Sequence, residues 1–98
     1  MDEQKHGEQI PIDFPPSLRG GVYCNTMTVT HTKEEFIMDF MMVAPPVGAI
    51  TARVIMSPGH VKRTILALQD NFKKYEEKFG KVQEAVEPPR KLGFFQTS

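Results

Sequence analysis

The sequence contains no tryptophan, one cysteine and no excess of charge of either sign. A single cysteine, Cys24, excludes an intrachain disulfide and is typical of proteins from a reducing compartment. Twelve basic and twelve acidic residues cancel, so attraction to nucleic acid or to anionic lipid is weak. No apolar run has the length of a membrane span or the form of a signal-peptide core. We therefore expect a cytoplasmic protein that binds neither nucleic acid nor membrane.

Proline is concentrated at the two ends of the chain. Residues 1–20 and 81–98 hold five of the eight prolines and show no helical or strand period. This composition predicts a flexible N-terminal arm (1–20) and a flexible C-terminal tail (81–98). The folded domain is then residues 21–80. A domain of about sixty residues forms a marginal core on its own, and association is a common remedy.

The middle of the chain predicts three β-strands. Residues 36–43 contain seven apolar residues in eight without helical rhythm, so both faces of such a strand are apolar. Residues 22–32 and 50–56 alternate and are rich in the β-branched residues that favour strands. Residues 32–35 predict a short polar connection. Residues 44–48, with two prolines, interrupt the ladder because proline has no amide donor.

The two connections suggest a register for these strands. In this register one face of the sheet is a dense Phe, Met and Val surface, and the other is mixed. A polar row of Thr28, Asp39 and Arg53 crosses the mixed face. The proposed pairs are Met42–Ile50, Phe40–Ala52, Asp39–Arg53, Met38–Val54 and Phe36–Met56 in the second hairpin, and His31–Phe36, Met27–Phe40 and Thr28–Asp39 in the first.

One long helix follows the strands. Serine is a preferred N-cap and proline is favoured at the first helical position, so Ser57-Pro58 predicts the start. We expect His60 to complete the cap with a hydrogen bond back to Ser57. Gly80 predicts the end. Between them an apolar stripe recurs every three or four residues: Val61, Ile65, Leu68, Phe72, Tyr75 and Phe79.

These elements predict an α+β fold in βββα order, a three-stranded antiparallel meander followed by one long C-terminal helix. A lone antiparallel sheet usually keeps one face in solvent, but here both faces are apolar. We expect the helix to cover one face and a second copy of the chain to cover the other. The predicted core is Phe36, Met38, Phe40, Val54, Ile65, Leu68, Phe72 and Tyr75. The predicted association face is Ile37, Asp39, Met41, Arg53 and Ile55.

Several motifs follow one another in a familiar order. They are Gly-Val-Tyr-x-Asn at 21–25, Thr-His-Thr-x-x-Glu-Phe-x-x-Asp-Phe at 30–40, Arg-Val-Ile-Met-Ser-Pro-x-His at 53–60, and Ala-Leu-Gln-Asp-Asn-x-x-Lys-Tyr-Glu-x-x-Phe-Gly at 67–80. Over about residues 20–81 the chain resembles the bacterial domain-of-unknown-function family 3467 of small uncharacterised proteins. The resemblance implies a bacterial cytosolic protein with this strand–strand–strand–helix plan. It implies no activity.

Catalytic and metal sites find little support in the sequence. Cys24 with His31 or His60 has the residue types of a nucleophile and base. The predicted strand, however, places Cys24 and His31 on opposite faces, and no orienting acid is evident. We expect Cys24 to be a small packed residue. Three scattered histidines, including His6, lack the paired spacing of zinc sites. We predict no enzyme activity, no metal and no cofactor.

Asp39 is the most suggestive polar residue because it interrupts the apolar strand. A covered carboxylate is costly unless it is paired, and Arg53 is its natural partner. The pair either fixes register or dimer geometry, which we favour, or binds a ligand. Tyr23 and Asn25 allow the same two interpretations.

Self-association gives the leading hypothesis for function: a non-enzymatic homo-oligomeric interaction or scaffold protein that uses a sheet face or edge. The alternative is a chaperone-like protein that holds peptides on its Phe/Met-rich sheet surface, because methionine recurs on promiscuous binding surfaces. The expected partners are accordingly a second copy of the chain or another protein or peptide. Nucleic-acid binding ranks third and an enzyme last.

Overall fold

The computed structural model describes residues 7–86 and confirms the βββα order. The strands are β1 (Thr26–His31), β2 (Phe36–Ala44) and β3 (Val47–Met56), and the helix is α1 (Pro58–Phe79). A short 3₁₀ turn, Pro16–Leu18, precedes them. Predictions for His6 and for the tail beyond residue 86 lie outside the described residues.

The three strands form one antiparallel sheet in the order β1-β2-β3, so β2 is central and β1 and β3 are edges. The connection between β1 and β2 is closed by Thr32, whose hydroxyl accepts hydrogen bonds from the amides of Glu34 and Glu35 at 3.1 and 3.2 Å. Pro45 and Pro46 alone join β2 to β3. The prolines therefore form the turn, and β3 begins three residues earlier than the alternation predicted.

The structure confirms the predicted register over most of the sheet. All three pairs proposed between β1 and β2 are present, as are four of the five between β2 and β3, including Asp39 opposite Arg53. The Met42–Ile50 pair is wrong. An irregularity between Phe40 and Met41 leaves Thr51 unpaired, so Ile50 lies opposite Met41. Because side chains alternate between faces, this extra residue transfers Ile50 to the face of Met41.

Strand β1 is shorter than predicted, since it begins at Thr26 instead of residue 22. The side chain of Asn25 accepts a hydrogen bond from the amide of Val43 (2.9 Å) and donates one to its carbonyl (2.8 Å). Both main-chain groups of Val43 are thus occupied by a side chain. The backbone before Asn25 therefore finds no free amide or carbonyl on Val43 with which to continue the strand pairing, and it leaves the sheet.

The helix has the predicted ends. The Ser57 hydroxyl accepts a hydrogen bond from the amide of His60 at 3.3 Å, so the backbone of His60, and not its ring, completes the cap. Gly80 has φ +96° and donates its amide to the carbonyl of Glu76 at 2.8 Å. A backbone of this kind is close to glycine-only, which explains why the helix stops there.

The predicted core is not formed within one chain. None of the described residues, 7–86, is buried, and α1 does not pack across the sheet. Near the start of the helix, the Thr64 hydroxyl lies 3.5 Å from the sulfur of Met56 on β3. A single residue, Ser57, separates β3 from α1. The helix therefore has no loop with which to turn back over its own sheet.

Candidate functional site

The sheet has two faces of different chemistry. The first, here called the aromatic–methionine face, has no charged side chain in its central part. The second, here called the ion-pair face, carries the predicted association residues. The aromatic–methionine face consists of Met27, Val29, Phe36, Met38, Phe40, Met42, Ala52, Val54 and Met56, with His31 at one end, and the ion-pair face of Thr26, Thr28, Thr30, Ile37, Asp39, Met41, Ile50, Arg53 and Ile55.

The Asp39–Arg53 pair lies at the centre of the ion-pair face. Arg53 Nε is 2.6 Å from Asp39 Oδ1, and the second guanidinium nitrogen is 2.9 Å from Oδ2. This two-pronged geometry matches the guanidinium fork to the carboxylate. The Asp39 side chain is 16% exposed and that of Arg53 is 52% exposed. The carboxylate is therefore largely covered by the sheet, while the guanidinium remains open to solvent or a partner.

The pair also sets the protonation of its members. The hydrogen bonds from Arg53, reinforced by its positive charge, lower the pKa of Asp39 below its ordinary value of 3.8. The same contacts raise the pKa of Arg53. Thr28 of β1 lies opposite Asp39, so the predicted polar row crosses the sheet. A carboxylate held ionised by its own arginine is a poor general acid or base at neutral pH, and the arrangement suits recognition or register better than proton transfer.

All five predicted association residues share the ion-pair face. Ile37 and Met41 flank Asp39 on β2 and are half-buried, whereas Ile55 on the edge strand is 51% exposed. The irregularity at Thr51 adds Ile50, which is 47% exposed. The sequence analysis missed this residue, and strict alternation along residues 50–56 gave no sign of it.

The helix presents a second apolar surface that the sequence analysis had assigned to the core. Along its stripe Phe72 and Tyr75 stack with ring centroids 6.1 Å apart, and Phe79 follows Tyr75 at 4.9 Å. The exposed fraction lies between about half and two-thirds for each of five stripe residues: Ile65, Leu68, Phe72, Tyr75 and Phe79. Through Thr64 and Met56 this stripe is continuous with the aromatic–methionine face.

Residues beyond the helix shape one side of the stripe. The amide of Val82 donates a hydrogen bond to the carboxylate of Glu76 at 3.0 Å, which turns the chain back toward α1. Val82 thereby borders a shallow open depression of about 300 Å³ that Leu68, Phe72 and Tyr75 also line. The depression is open and apolar. It therefore resembles part of a protein contact surface more than an enclosed ligand site.

The candidate catalytic and metal-binding residues are not brought together. Cys24 is exposed, so its prediction as a packed residue is wrong. It precedes β1, whereas His31 ends that strand with its ring 5.4 Å from the ring of Phe36. Within residues 7–86 no group of three or more His, Cys, Asp or Glu side chains is placed to hold a metal ion. The helix of this described part is not long and apolar enough to cross a membrane.

Asn25 has a structural role that its residue type and position did not reveal. Its amide group forms both of the bonds that a strand residue would form with Val43, and its own main-chain amide donates to the carbonyl of Met41 at 2.9 Å. Of the two interpretations given for Asn25, these contacts favour the structural one. Asparagine next to a strand end is a signal for such side-chain-to-backbone bonds, although it does not identify the partner.

A comparison with family models gives one match. The model described as "Protein of unknown function (DUF3467)" matches residues 1–84. No curated protein and no solved structure matches the chain.

Proposed function

The chain belongs to the DUF3467 family of proteins of unknown function, and from its exposed apolar surfaces we propose that it is a non-enzymatic homo-oligomeric interaction module. In this proposal the protein is a small scaffold whose hydrophobic core forms when copies of the chain associate. The observation that carries the proposal is that no residue between 7 and 86 is buried.

The physical argument concerns what a single copy lacks. Folding must offset on the order of 1–2 kcal/mol of backbone entropy per residue, and burial of apolar surface is the main favourable contribution. A three-stranded sheet with an unpacked helix buries too little surface for this. A monomer with this arrangement would be unstable, whereas association would bury the helix stripe and at least one sheet face together.

The ion-pair face has a different role in the proposal. Its ring of aliphatic side chains around a two-pronged ion pair resembles the centre of a specific interface, where arginine is enriched. We propose that this face forms a further contact, with another copy or with a client protein, and that Asp39 holds Arg53 in a fixed orientation for it.

The test is the molar mass of the full chain by light scattering during size-exclusion chromatography at tens of micromolar. We expect a mass of at least two chains of 11.1 kDa each. Phe72→Lys on the helix stripe should reduce it to one chain, because a lysine cannot be buried there without a partner. Glu77→Lys, which places lysine on the solvated side of the same helix, is the control and should leave the mass unchanged.

Met41→Lys tests the ion-pair face separately. If that face joins copies, this variant lowers the mass to a smaller assembly, while Met41→Leu, which keeps an apolar side chain at the same position, does not. A wild-type monomer at tens of micromolar would contradict the proposal as a whole.

A chaperone-like peptide-binding role is the second candidate, and one feature favours it. Four methionines, Met27, Met38, Met42 and Met56, lie on the aromatic–methionine face, and the sheet has two open edge strands at which an extended peptide could pair. This role predicts saturable binding of an extended apolar peptide, measured by fluorescence anisotropy, by a wild-type monomer. A wild-type assembly that binds no such peptide would exclude it.

A further inference from the structure

We infer that two copies of this chain assemble by reciprocal exchange of α1, so that the helix stripe of each protomer lies on the aromatic–methionine face of the other. The inference rests on the proposed self-association and specifies which surfaces meet. In this arrangement a second copy of the same chain covers both the helix stripe and the aromatic–methionine face.

The connection between sheet and helix is the first argument. Only Ser57 separates β3 from α1, and the helix does not lie on its own sheet. After Thr64 its stripe has, among residues 7–86, only Val82 beside it. The aromatic–methionine face is uncovered for the same reason. Each protomer thus presents an exposed sheet face and a helix with an exposed apolar stripe. In a dimer with a two-fold axis, the helix of each protomer can cover the sheet face of the other.

The dimensions of the two surfaces agree. The stripe from Ile65 to Phe79 extends about 21 Å along the helix, at 1.5 Å per residue. The central strand from Phe36 to Met42 extends about 20 Å, at 3.3–3.4 Å per residue. A helix lying along β2 would therefore place its whole exposed stripe on the sheet without overhang.

The area available distinguishes this arrangement from a simple pairing of the two helices. A large apolar or aromatic side chain has roughly 150–250 Å² of surface, so five stripe residues that are between about half and two-thirds exposed offer on the order of 500 Å² per chain. Helix against helix would bury about 1,000 Å² in total, at the margin for a specific interface. Exchange adds a comparable area from each sheet face and reaches about 2,000 Å², within the range of obligate homodimers.

The chemistry of the two sheet faces selects the one that the helix covers. The ion-pair face carries Asp39 and Arg53 at its centre, and a covering aromatic stripe would desolvate the exposed guanidinium and offer it, besides ring faces, the Tyr75 hydroxyl as its one acceptor. The aromatic–methionine face has no charge there, and methionine adapts well to aromatic rings. The stripe of α1 therefore fits the aromatic–methionine face better.

The test is an isotope-filtered nuclear Overhauser experiment on the wild-type full chain. Labelled (¹³C, ¹⁵N) and unlabelled chains are mixed in equal amounts, unfolded and refolded together. We expect contacts between methyl groups of Ile65 or Leu68 in a labelled chain and ring protons of Phe36 or Phe40 in an unlabelled one.

Two other patterns would overturn the exchange. Contacts between the two helix stripes, without contacts from helix to sheet across chains, would indicate a helix pair and would leave the proposed self-association intact. Helix-to-sheet contacts within one chain only would show that α1 folds back on its own sheet. A monomer by light scattering would remove both the exchange and the proposed function.

A charge-complementation pair provides a second readout. Phe72→Lys and Val54→Glu should each prevent assembly alone. Mixed in equal amounts they should form a 1:1 dimer, since one helix–sheet contact is then wild-type and the other places lysine near glutamate. A helix pair predicts no such rescue, because Val54 would lie outside its interface, and Val54→Glu alone would then still assemble.

Discussion

The carboxylate of Asp39 and the guanidinium of Arg53 meet across β2 and β3 in a two-pronged ion pair, with both contacts shorter than 3.0 Å. Their strands reverse direction at two prolines, so residues fourteen positions apart become direct neighbours. The pair lies on a face where threonines of β1 and apolar side chains of β2 and β3 surround it, and it fixes which residues of the two strands can stand opposite each other. A slip by one residue would separate the charges and reverse the faces.

This ion pair predicts a specific acid sensitivity. The folded-state pKa of Asp39 lies below its ordinary 3.8, so the pair stabilises the fold above about pH 4 and loses that contribution as the pH falls through the folded value. Asp39→Asn removes the titrating group. We expect wild type to be more stable than Asp39→Asn at pH 7 and the difference to shrink toward pH 3, measured by urea unfolding.

At each pH, the difference in the free energy of unfolding between wild type and Asp39→Asn cancels the contribution of the other carboxylates. Arg53→Lys is the companion variant, because it keeps the charge but not the fork. It should retain part of the pH dependence. A difference between wild type and Asp39→Asn that is the same at pH 7 and pH 3 would contradict the assignment.

The two hydrogen bonds from the Asn25 side chain to the main chain of Val43 predict that stability depends on both the donor and the acceptor at this position. Asn25→Ala loses two hydrogen bonds to Val43 and should lower the free energy of unfolding by about 1–2 kcal/mol, at roughly 1 kcal/mol or less for each exposed bond. Asn25→Asp keeps the acceptor for the Val43 amide but places a carboxylate oxygen against the Val43 carbonyl, and this repulsion should leave it no more stable than Asn25→Ala. Chemical denaturation measures both. Amide exchange at Val43 should accelerate in Asn25→Ala, whereas an aspartate oxygen still accepts from the Val43 amide. Full stability in Asn25→Asp would show that only the bond from the Val43 amide counts.

The two ends of the helix allow a matched glycine comparison. Gly80 has φ +96°, where an added side chain is strained, so Gly80→Ala should cost about 1–3 kcal/mol. Gly59, in the first turn of α1, has open space around its α-carbon. Gly59→Ala should therefore be neutral or stabilising by up to about 1 kcal/mol, since alanine favours a helix. Equal effects of the two substitutions, measured by thermal unfolding, would contradict the backbone assignment at Gly80.

Much of the fold was predictable because local chemistry determines it. Proline after serine marks the helix start, glycine its end, and the alternation of residues 22–32 and 50–56 with two short connections was enough for seven of eight strand pairs. The irregularity at Thr51 was not predictable, since a bulge needs no special residue and leaves the composition of the strand unchanged. Its result, the transfer of Ile50 to the ion-pair face, changed the candidate site.

The packing of the helix was mispredicted for a more general reason. The stripe from Val61 to Phe79 identifies the apolar side of α1, but the period of a helix carries no information about what covers that side. The cover depends on the direction in which the chain leaves β3, and Ser57 alone sets that direction. The sequence therefore correctly predicted that Ile37, Asp39, Met41, Arg53 and Ile55 share one face of the sheet, and their role in association stays a prediction. It wrongly assigned the helix stripe to a core with its own sheet.

A core that forms between chains makes stability depend on protein concentration. When folding and association are one process, dilution favours the unfolded chain by mass action, and a hundredfold dilution corresponds to about 2.7 kcal/mol. For a dimer of this size the unfolding midpoint should fall on the order of 5–10 °C between 200 and 2 μM, two concentrations chosen for this hundredfold range. Differential scanning fluorimetry and circular dichroism measure this directly. The Glu77→Lys variant should show the same shift, since it leaves the stripe intact. If the midpoint of the wild type is the same at both concentrations, the chain forms its core alone, because only a monomer escapes the mass-action term.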